Sequence, residues 1–213
     1  LGFRREELLP GHWLKRALSH DNVGGVILFD RNVDGYTQNI SSPTQLRQLT
    51  ADLQDAAGGD LLIAVDQEGG KVCRLKATAG FCSQPSALDL GMQGLEASSH
   101  AANACAAMLN ESGINLNFAP VVDLDSDPPS PIIGRYGRSF GPDPEMVSQH
   151  AMVWIKAHHE HGVVCCLKHF PGHGSARSDT HLGFVDASVS WQPEELEPYR
   201  RLIKAGFEDA IIS

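Results

Sequence analysis

Short apolar runs alternate along the chain with longer segments of helical periodicity. A continuous apolar run bounded by polar residues or glycine is typical of a strand that is buried on both faces. Five such strands are predicted, at residues 26–29, 61–65, 115–124, 163–167 and 209–213. The third run contains Pro120, so we expect this strand to be bulged or to end near that residue.

Between these runs, apolar residues recur every three or four positions, which is the spacing of an amphipathic helix. Helices are predicted at residues 6–18, 43–57, 96–112, 144–161 and 193–205. The sequence Ser42-Pro43-Thr44-Gln45 has the layout of a capping box with proline at the first helical position, and Gly113 suits a C-terminal cap. Strand and helix therefore alternate along the whole chain.

This alternation predicts parallel strands joined by right-handed crossovers. An open doubly wound sheet and a (β/α)8 TIM barrel both have this pattern, but no GxGxxG segment follows the first strand, so dinucleotide binding is not indicated. Polar residues recur at the strand ends, namely Asp30, Arg31, Asp66, Asp123, Lys168 and His169. A barrel collects such residues on one face, so we predict an α/β fold of the TIM-barrel class. The 213 residues are fewer than the roughly 250 of a typical barrel.

Composition narrows the classes of partner. Hydrophobic residues make up 42% of the chain, and 26 acidic against 17 basic residues give a formal net charge of −9. This charge argues against nucleic acid or an anionic membrane surface as the main partner, and no apolar run reaches the roughly 20 residues of a membrane span. The five cysteines include no CxxC pair, which indicates reduced thiols and a cytoplasmic location.

The densest group of reactive residues lies between positions 163 and 181. A buried strand is predicted to end at Lys168 and His169, and the loop that follows carries Asp179 and His181. In an extended segment these last two side chains project to the same side, so the carboxylate can orient the imidazole for proton transfer near neutral pH. The alternatives are an exposed loop pair and, for Lys168, a lysine that extends to the surface.

Two other polar residues suit a ligand site. Asp66 follows a strand and precedes two glycines that permit close backbone approach, so its carboxylate can accept hydrogen bonds from adjacent hydroxyls. Helix capping is the alternative role for this residue. Arg138 lies in the long loop of residues 125–143, where it can hold a ligand or fix the loop through Asp125 or Asp143.

The ten histidines raise the question of a metal site. His169 and His173 are four residues apart, but the intervening Phe-Pro-Gly interrupts the helical spacing that two ligands on one helix face require. His158, His159 and His161 lie at a predicted helix C-terminus, where histidine is electrostatically favourable. We therefore predict no metal and no other cofactor.

Several motifs together resemble a known family. The segment KHFPGHG at 168–174, followed by Asp-Thr-His at 179–181, resembles the KHFPGHG…DxH motif of family 3 glycoside hydrolases of the β-N-acetylglucosaminidase type. Three further segments match in order, at residues 24–32, 64–74 and 119–144. A lone Lys-His-Phe would also suit the β-glucosidases of this family, whereas the PGHG and DxH parts resemble the N-acetylglucosaminidase branch.

This resemblance implies a (β/α)8 barrel that releases terminal, non-reducing β-linked N-acetylglucosamine with retention of configuration, from muropeptide or chitin-derived saccharides. It assigns His181 as the general acid/base and Asp179 as its orienting partner. The substrate-binding residues that it implies are Asp66, Arg74, Arg138, Lys168 and His169. A histidine in this role departs from the usual pair of carboxylates, yet an imidazolium can protonate the leaving oxygen and the imidazole can then activate water.

The chain also departs from the family pattern. Lys71 stands where an arginine is usual, and the family's nucleophile, an aspartate after a later strand, does not occur before Ser213. We therefore expect residues 1–213 to be a single, partial catalytic domain with roughly strands 2 to 6 of the barrel and most of strand 1 absent. A polypeptide without the nucleophile cannot form a glycosyl-enzyme intermediate, so it is expected to hydrolyse no aryl β-N-acetylglucosaminide.

Two alternatives to this function stay open at the level of sequence. The first is a phosphorylase or a β-glucosidase of the same family, because a histidine at the acid/base site lets phosphate enter without charge repulsion. The second is a non-catalytic sugar-binding protein that retains Asp66, Lys168 and His169. In each case the expected ligand is a saccharide.

Overall fold

The computed structural model describes residues 1–21, 23–177 and 186–213. Its strands are β1 (Gly25–Leu28), β2 (Leu62–Val65), β3 (Gln67–Gly69), β4 (Val72–Cys73), β5 (Leu116–Asn117), β6 (Val164–Leu167) and β7 (Ala210–Ile211). Five of them form one sheet in the order β1-β2-β5-β6-β7, and every neighbouring pair is parallel. β3 and β4 form a separate antiparallel hairpin directly after β2.

The order of the strands in the sheet follows their order in the chain. A doubly wound sheet reverses direction at a switch point, and this sheet has no such reversal. The predicted α/β class with parallel strands is therefore confirmed. In the described part of the chain the sheet is open, since β1 and β7 do not pair with each other, and Gly2 forms a parallel bridge to Ile27 beyond β1.

The α-helices of the described residues are α1 (Trp13–His20), α2 (Pro43–Ala57), α3 (Ala87–Gln93), α4 (Leu95–Glu111), α5 (Pro144–Glu160) and α6 (Glu197–Lys204). The prediction for α2 is confirmed except for one half of the capping box, because the Gln45 side chain accepts from the Ser41 amide rather than from that of Ser42. The Ser42 side chain accepts a hydrogen bond from the Gln45 amide, Pro43 starts the helix, and Gly58 ends it in the left-handed conformation at φ 84°. In the described residues, none of the helices is long and apolar enough to cross a membrane.

Two helix predictions need correction. The first helix begins at Trp13 rather than at residue 6, because Pro10 and Gly11 interrupt the periodic segment and the His12 side chain caps the helix at Leu14. Helix α3 was not predicted, since Gly91 suggested irregular structure. A Cβ at Gly91 would lie 1.9 Å from the carbonyl oxygen of Phe140, so this glycine serves close packing rather than a turn.

Strand β5 is shorter than the apolar run that predicted it. Only Leu116–Asn117 lie in the sheet, and the ladder stops before Pro120, which has no N–H to donate. The chain then returns to the sheet at an isolated bridge between Val121 and Lys168, where the Val122 amide donates to the Lys168 carbonyl at 2.9 Å. The expected irregularity at Pro120 is confirmed, and it carries Asp123 to the end of β6.

The long loop of residues 125–143 is anchored by its apolar side chains. Ile133 is fully buried and Phe140 is 4% exposed. The Ser139 hydroxyl donates to the Asp123 carbonyl at 2.6 Å, which ties the end of the loop to its beginning. The loop is therefore ordered, and it brings Arg138 over the end of the sheet.

One histidine is fully enclosed by the core. The His158 ring is in the last turn of α5, where its Nδ1 donates to the Trp154 carbonyl at 2.9 Å and its Nε2 accepts from the Asn117 amide at 3.1 Å. The ring also stacks on Trp154 with 5.1 Å between centroids. Desolvation lowers the pKa of His158 from 6.5 to about 4.

This burial predicts a pH dependence of stability. The unfolded chain binds a proton at His158 below about pH 6.5, while the folded chain resists it until about pH 4. The contribution of the neutral His158 ring to stability is therefore fully present above pH 6.5. It is lost as the pH falls toward 4, by up to about 3 kcal/mol in the free energy of unfolding. Urea unfolding at pH 7 and pH 4.5 measures this loss in the free energy of unfolding.

The variant His158→Gln removes the titrating group, so its free energy of unfolding should fall less between these two pH values. The exposed His100 on α4 provides the control, and His100→Gln should keep the wild-type dependence. An unchanged pH dependence in His158→Gln would contradict the assignment.

Candidate active site

Several polar residues that follow the strands meet in one cleft at the carboxyl end of the sheet, whereas the predicted strand-end residues Asp30, Arg31 and Asp123 do not line it. The cleft has a volume of about 830 Å³. All five predicted substrate-binding residues line it, namely Asp66, Arg74, Arg138, Lys168 and His169. Its outer walls are partly apolar and include Val72, Ile132, Tyr136, Phe170 and Trp191. A volume of this size is typical of a small-molecule site.

Lys168 lies at the floor of the cleft, directly after β6. Only 4% of this residue is exposed. Its ammonium donates to Asp66 Oδ1 at 2.7 Å and contacts Glu68 Oε1 at 2.6 Å. The alternative of a lysine that extends to the surface is therefore wrong. Since a buried charge needs compensation, the two carboxylates are what allow this ammonium to remain inside.

Glu68 also belongs to the site, although it was not predicted from the sequence. It lies in β3, and its carboxylate accepts from Arg138 Nε at 2.7 Å and from Arg138 Nη2 at 2.8 Å. Burial alone would raise the pKa of Glu68, but the Lys168 and Arg138 cations hold it below its ordinary value. Glu68 could have been predicted as a site residue from its position in the polar segment that directly follows β2.

The β3–β4 hairpin sorts these polar residues onto two sides. Asp66 and Glu68 face the cleft, while the buried Gln67 side chain accepts from the backbone amides of Arg74 and Leu75 at 2.9 and 3.0 Å. Gln67 therefore fixes the backbone from which Arg74 extends. The hairpin turn requires glycine at Gly69, where φ is 94° and a Cβ would lie 2.1 Å from the Pro85 carbonyl oxygen.

The Arg74 guanidinium lies on one side of the cleft between two carboxylates. Its Nη1 is 3.8 Å from Asp30 Oδ1 and its Nη2 is 3.7 Å from Asp66 Oδ2, and the group lies over the Phe29 ring at 5.4 Å. These separations are longer than hydrogen bonds. Among the described residues, the buried Nε of Arg74 has no acceptor. Arg74 is thus held electrostatically, with donors still available for a ligand.

Arg138 connects the long loop to the floor of the cleft. Besides its two bonds to Glu68, it donates through Nη1 to the Ile132 carbonyl at 3.0 Å and through Nη2 to His169 at 3.0 Å. Although burial disfavours the cation, the Glu68 carboxylate raises the pKa of Arg138. Arg138 therefore fixes its own loop, but through the Ile132 carbonyl and not through Asp125 or Asp143 as predicted, and its side chain also lines the cleft.

His169 and the fully buried Asp123 form a second close pair. Nδ1 of His169 lies 2.6 Å from Asp123 Oδ2, and the His173 backbone amide donates to Asp123 Oδ1 at 2.8 Å. Asp123 was noted as a polar residue at a strand end, but its partners were not predicted. They depend on the irregular backbone at Pro120, which brings Asp123 to the end of β6.

The predicted proton-transfer pair, Asp179 and His181, lies outside the described residues. Before that segment, the Gly174 amide and the Ser175 hydroxyl donate to the Glu195 carboxylate, the former at 2.9 Å. After that segment, Trp191 Nε1 donates to the Pro171 carbonyl at 3.2 Å. Both flanks line the cleft, through His173 before the segment and Ser188 after it.

His173 is a cleft residue as well as part of the loop. Its ring lies 6.0 Å from the His169 ring, and burial lowers its pKa. The Nε2 atom is buried and finds no partner in the ranges that the structure describes. Neither His173 nor Glu68 was predicted from the sequence as a site residue, although both lie in the wall of the cleft.

Known proteins with related sequences are β-hexosaminidases. One from Tolumonas auensis is 40% identical over 205 residues, which cover 93% of this chain and 57% of that protein. One from Pseudomonas aeruginosa strain LESB58 is 36% identical over 213 residues, which cover 96% of this chain and 60% of that protein. The chain thus spans less than two thirds of the length of these relatives.

Solved structures give the same result. A glycoside hydrolase family 3 β-N-acetylglucosaminidase from Paenibacillus sp. FPU-7 matches with a TM-score of 0.83 and 32% identity, over 100% of this chain and 39% of that one. NagZ from Neisseria gonorrhoeae in complex with N-trifluoroacetyl-D-glucosamine matches with a TM-score of 0.83 and 31% identity, over 99% of this chain and 61% of that one.

The family model described as the glycosyl hydrolase family 3 N terminal domain matches residues 8–213. This range includes every described strand and helix and all the residues that line the cleft. The chain therefore belongs to glycosyl hydrolase family 3.

Proposed function

We propose that this chain forms the sugar-binding part of a retaining β-hexosaminidase that releases terminal β-linked N-acetylglucosamine. The observation that carries the proposal is the buried Lys168 ammonium, held between Asp66 and Glu68 at the floor of the cleft. Such a group is costly to bury, and its position among polar side chains suits recognition of sugar hydroxyls. The activity of the relatives supports the same assignment.

The proposed contacts follow from donor and acceptor chemistry. Asp66 is 19% exposed at its side chain, so its carboxylate can accept from two adjacent hydroxyls while it still bonds Lys168. Arg74 supplies unused N–H donors from the side of the cleft, and Arg138 supplies one from Nη1, beyond its bonds to Glu68, Ile132 and His169. The apolar walls then cover the faces of the sugar ring.

Proton transfer is assigned to His181, with Asp179 as its orienting partner. The motif that contains them and the position of its flanks beside the cleft support this assignment. An imidazolium at His181 would protonate the leaving oxygen, and the neutral imidazole would then activate water for the second step. Muropeptides or chitin-derived saccharides are the proposed substrates.

We also propose that the open sheet is an arc of a (β/α)8 barrel. Its support is the sequential order of five parallel strands, together with the collection of polar side chains at their carboxyl ends. In a barrel this end forms the catalytic face. The cleft residues would then be contributed by neighbouring strands around one rim.

The proposal predicts binding of N-acetylglucosamine by the 213-residue chain, measured by titration calorimetry. Lys168→Met should weaken the affinity by about 10- to 100-fold, because one or two charged hydrogen bonds are lost. Lys76→Met is the matched control, since Lys76 pairs with Asp30 and does not line the cleft. Equal affinity in the Lys168 variant and the wild type would refute this role.

Lys168→Met should also lower the free energy of unfolding by about 3–5 kcal/mol, because it leaves two carboxylates without their buried partner. Chemical denaturation measures this loss. Lys76→Met should lose about 1 kcal/mol or less, since the Lys76 side chain is 41% exposed and its pair with Asp30 is screened by solvent. Similar losses in the two variants would contradict the buried network.

A second test concerns the acid/base assignment, in the complete product of the gene. His181→Ala should reduce turnover by about 10²- to 10⁴-fold on β-N-acetylglucosaminides with poor leaving groups, and much less on activated aryl glycosides. The control His161→Ala changes a histidine at the end of α5, away from the cleft. Equal losses on both substrate classes would count against general acid catalysis by His181.

A further inference from the structure

The His169 ring is enclosed by two groups with opposite hydrogen-bonding requirements. A carboxylate can only accept, and Asp123 Oδ2 lies 2.6 Å from Nδ1. A guanidinium can only donate, and Arg138 Nη2 lies 3.0 Å from Nε2. Both contacts are hydrogen bonds only if the proton is on Nδ1 and the lone pair is on Nε2.

The other two forms of the ring would lose one or both of these bonds. With the proton on Nε2, an N–H would face the Arg138 N–H, and the Nδ1 lone pair would face the Asp123 carboxylate. In the imidazolium the Asp123 bond would survive, but Nε2–H would still face the Arg138 cation at 3.0 Å. The neutral Nδ1–H form therefore fits its neighbours best.

Asp123 is well placed to impose this form. It is fully buried, and both of its oxygens are engaged by the chain segment that follows β6. The backbone amide of His169 lies 3.3 Å from each oxygen, and the His173 amide donates to Oδ1 at 2.8 Å. These contacts fix the position of the carboxylate as well as the orientation of the ring.

We propose that Asp123 is a positioning residue that fixes His169 as the neutral Nδ1–H tautomer, so that Nε2 accepts from Arg138 and holds this guanidinium in the wall of the cleft. This inference rests on the proposed function, because it defines how the sugar site works. Arg138 then presents its remaining N–H to a hydroxyl oxygen of the sugar, beside the Lys168 ammonium.

The tautomer can be measured without any sugar. Two-dimensional NMR of the ¹⁵N-labelled chain at neutral pH distinguishes a protonated from an unprotonated ring nitrogen, and His169→Gln assigns the signals. The expected spectrum has a proton on Nδ1 of His169 and none on Nε2. A proton on Nε2, alone or together with Nδ1, would overturn the proposal, whatever the ligand of the cleft is.

The variant Asp123→Asn then tests the role of the carboxylate. An amide can turn its NH₂ toward Nδ1, which admits the Nε2–H tautomer, so we expect a changed His169 spectrum and roughly tenfold weaker binding of N-acetylglucosamine. The control is Asp125→Asn, because Asp125 does not line the cleft and accepts from its neighbour Ser126. This control should keep both the His169 spectrum and the affinity.

The outcomes separate this inference from the proposed function. Wild-type binding together with an unchanged His169 spectrum in folded Asp123→Asn would overturn the inference. The Nδ1–H spectrum without any binding of N-acetylglucosamine would sustain the tautomer but refute the proposed function. If Asp123→Asn does not fold, as judged by its thermal unfolding, the wild-type spectrum decides alone.

Discussion

The buried Lys168 ammonium is the constraint on which the rest of the cleft depends. An unpaired ammonium inside a protein would be too costly, so the chain surrounds it with Asp66 and Glu68. Glu68 must then satisfy its remaining lone pairs, and it does so with Arg138 from a loop 70 residues further along the chain. Arg138 in turn meets His169, whose other nitrogen is beside Asp123. One buried charge thus links four separate segments.

The strand ends could be predicted from the sequence because they follow a simple period. Continuous apolar runs marked β1, β2 and β6. Of the polar residues that follow these strands, Asp66, Lys168 and His169 line one cleft, whereas Asp30 and Arg31 do not. The alternation of strand and helix also predicted the parallel sheet. These features depend on residues close together in the chain, where apolar spacing is informative.

The rest of the site depends on contacts between distant segments. Glu68 faces the cleft because a hairpin follows β2 and alternates Asp66, Gln67 and Glu68 between two sides. Asp123 meets His169 because Pro120 interrupts the ladder and the chain returns to the sheet one residue later, at the bridge beside Lys168. Helix α3 was missed because Gly91 packs against the Phe140 carbonyl, which local propensity cannot indicate. In each case tertiary packing decided what the local pattern left open.

The ion-pair network in and beneath the cleft combines four carboxylates with four cations, namely Asp30, Asp66, Glu68 and Asp123 with Arg74, Lys76, Arg138 and Lys168. Their formal charges cancel, although the whole chain carries −9. A charged ligand would therefore gain no long-range attraction from this network, and for an uncharged ligand ionic strength should have little effect on how fast it arrives. Discrimination in such a cleft comes from short-range matching of donors to acceptors, which salt screens only weakly.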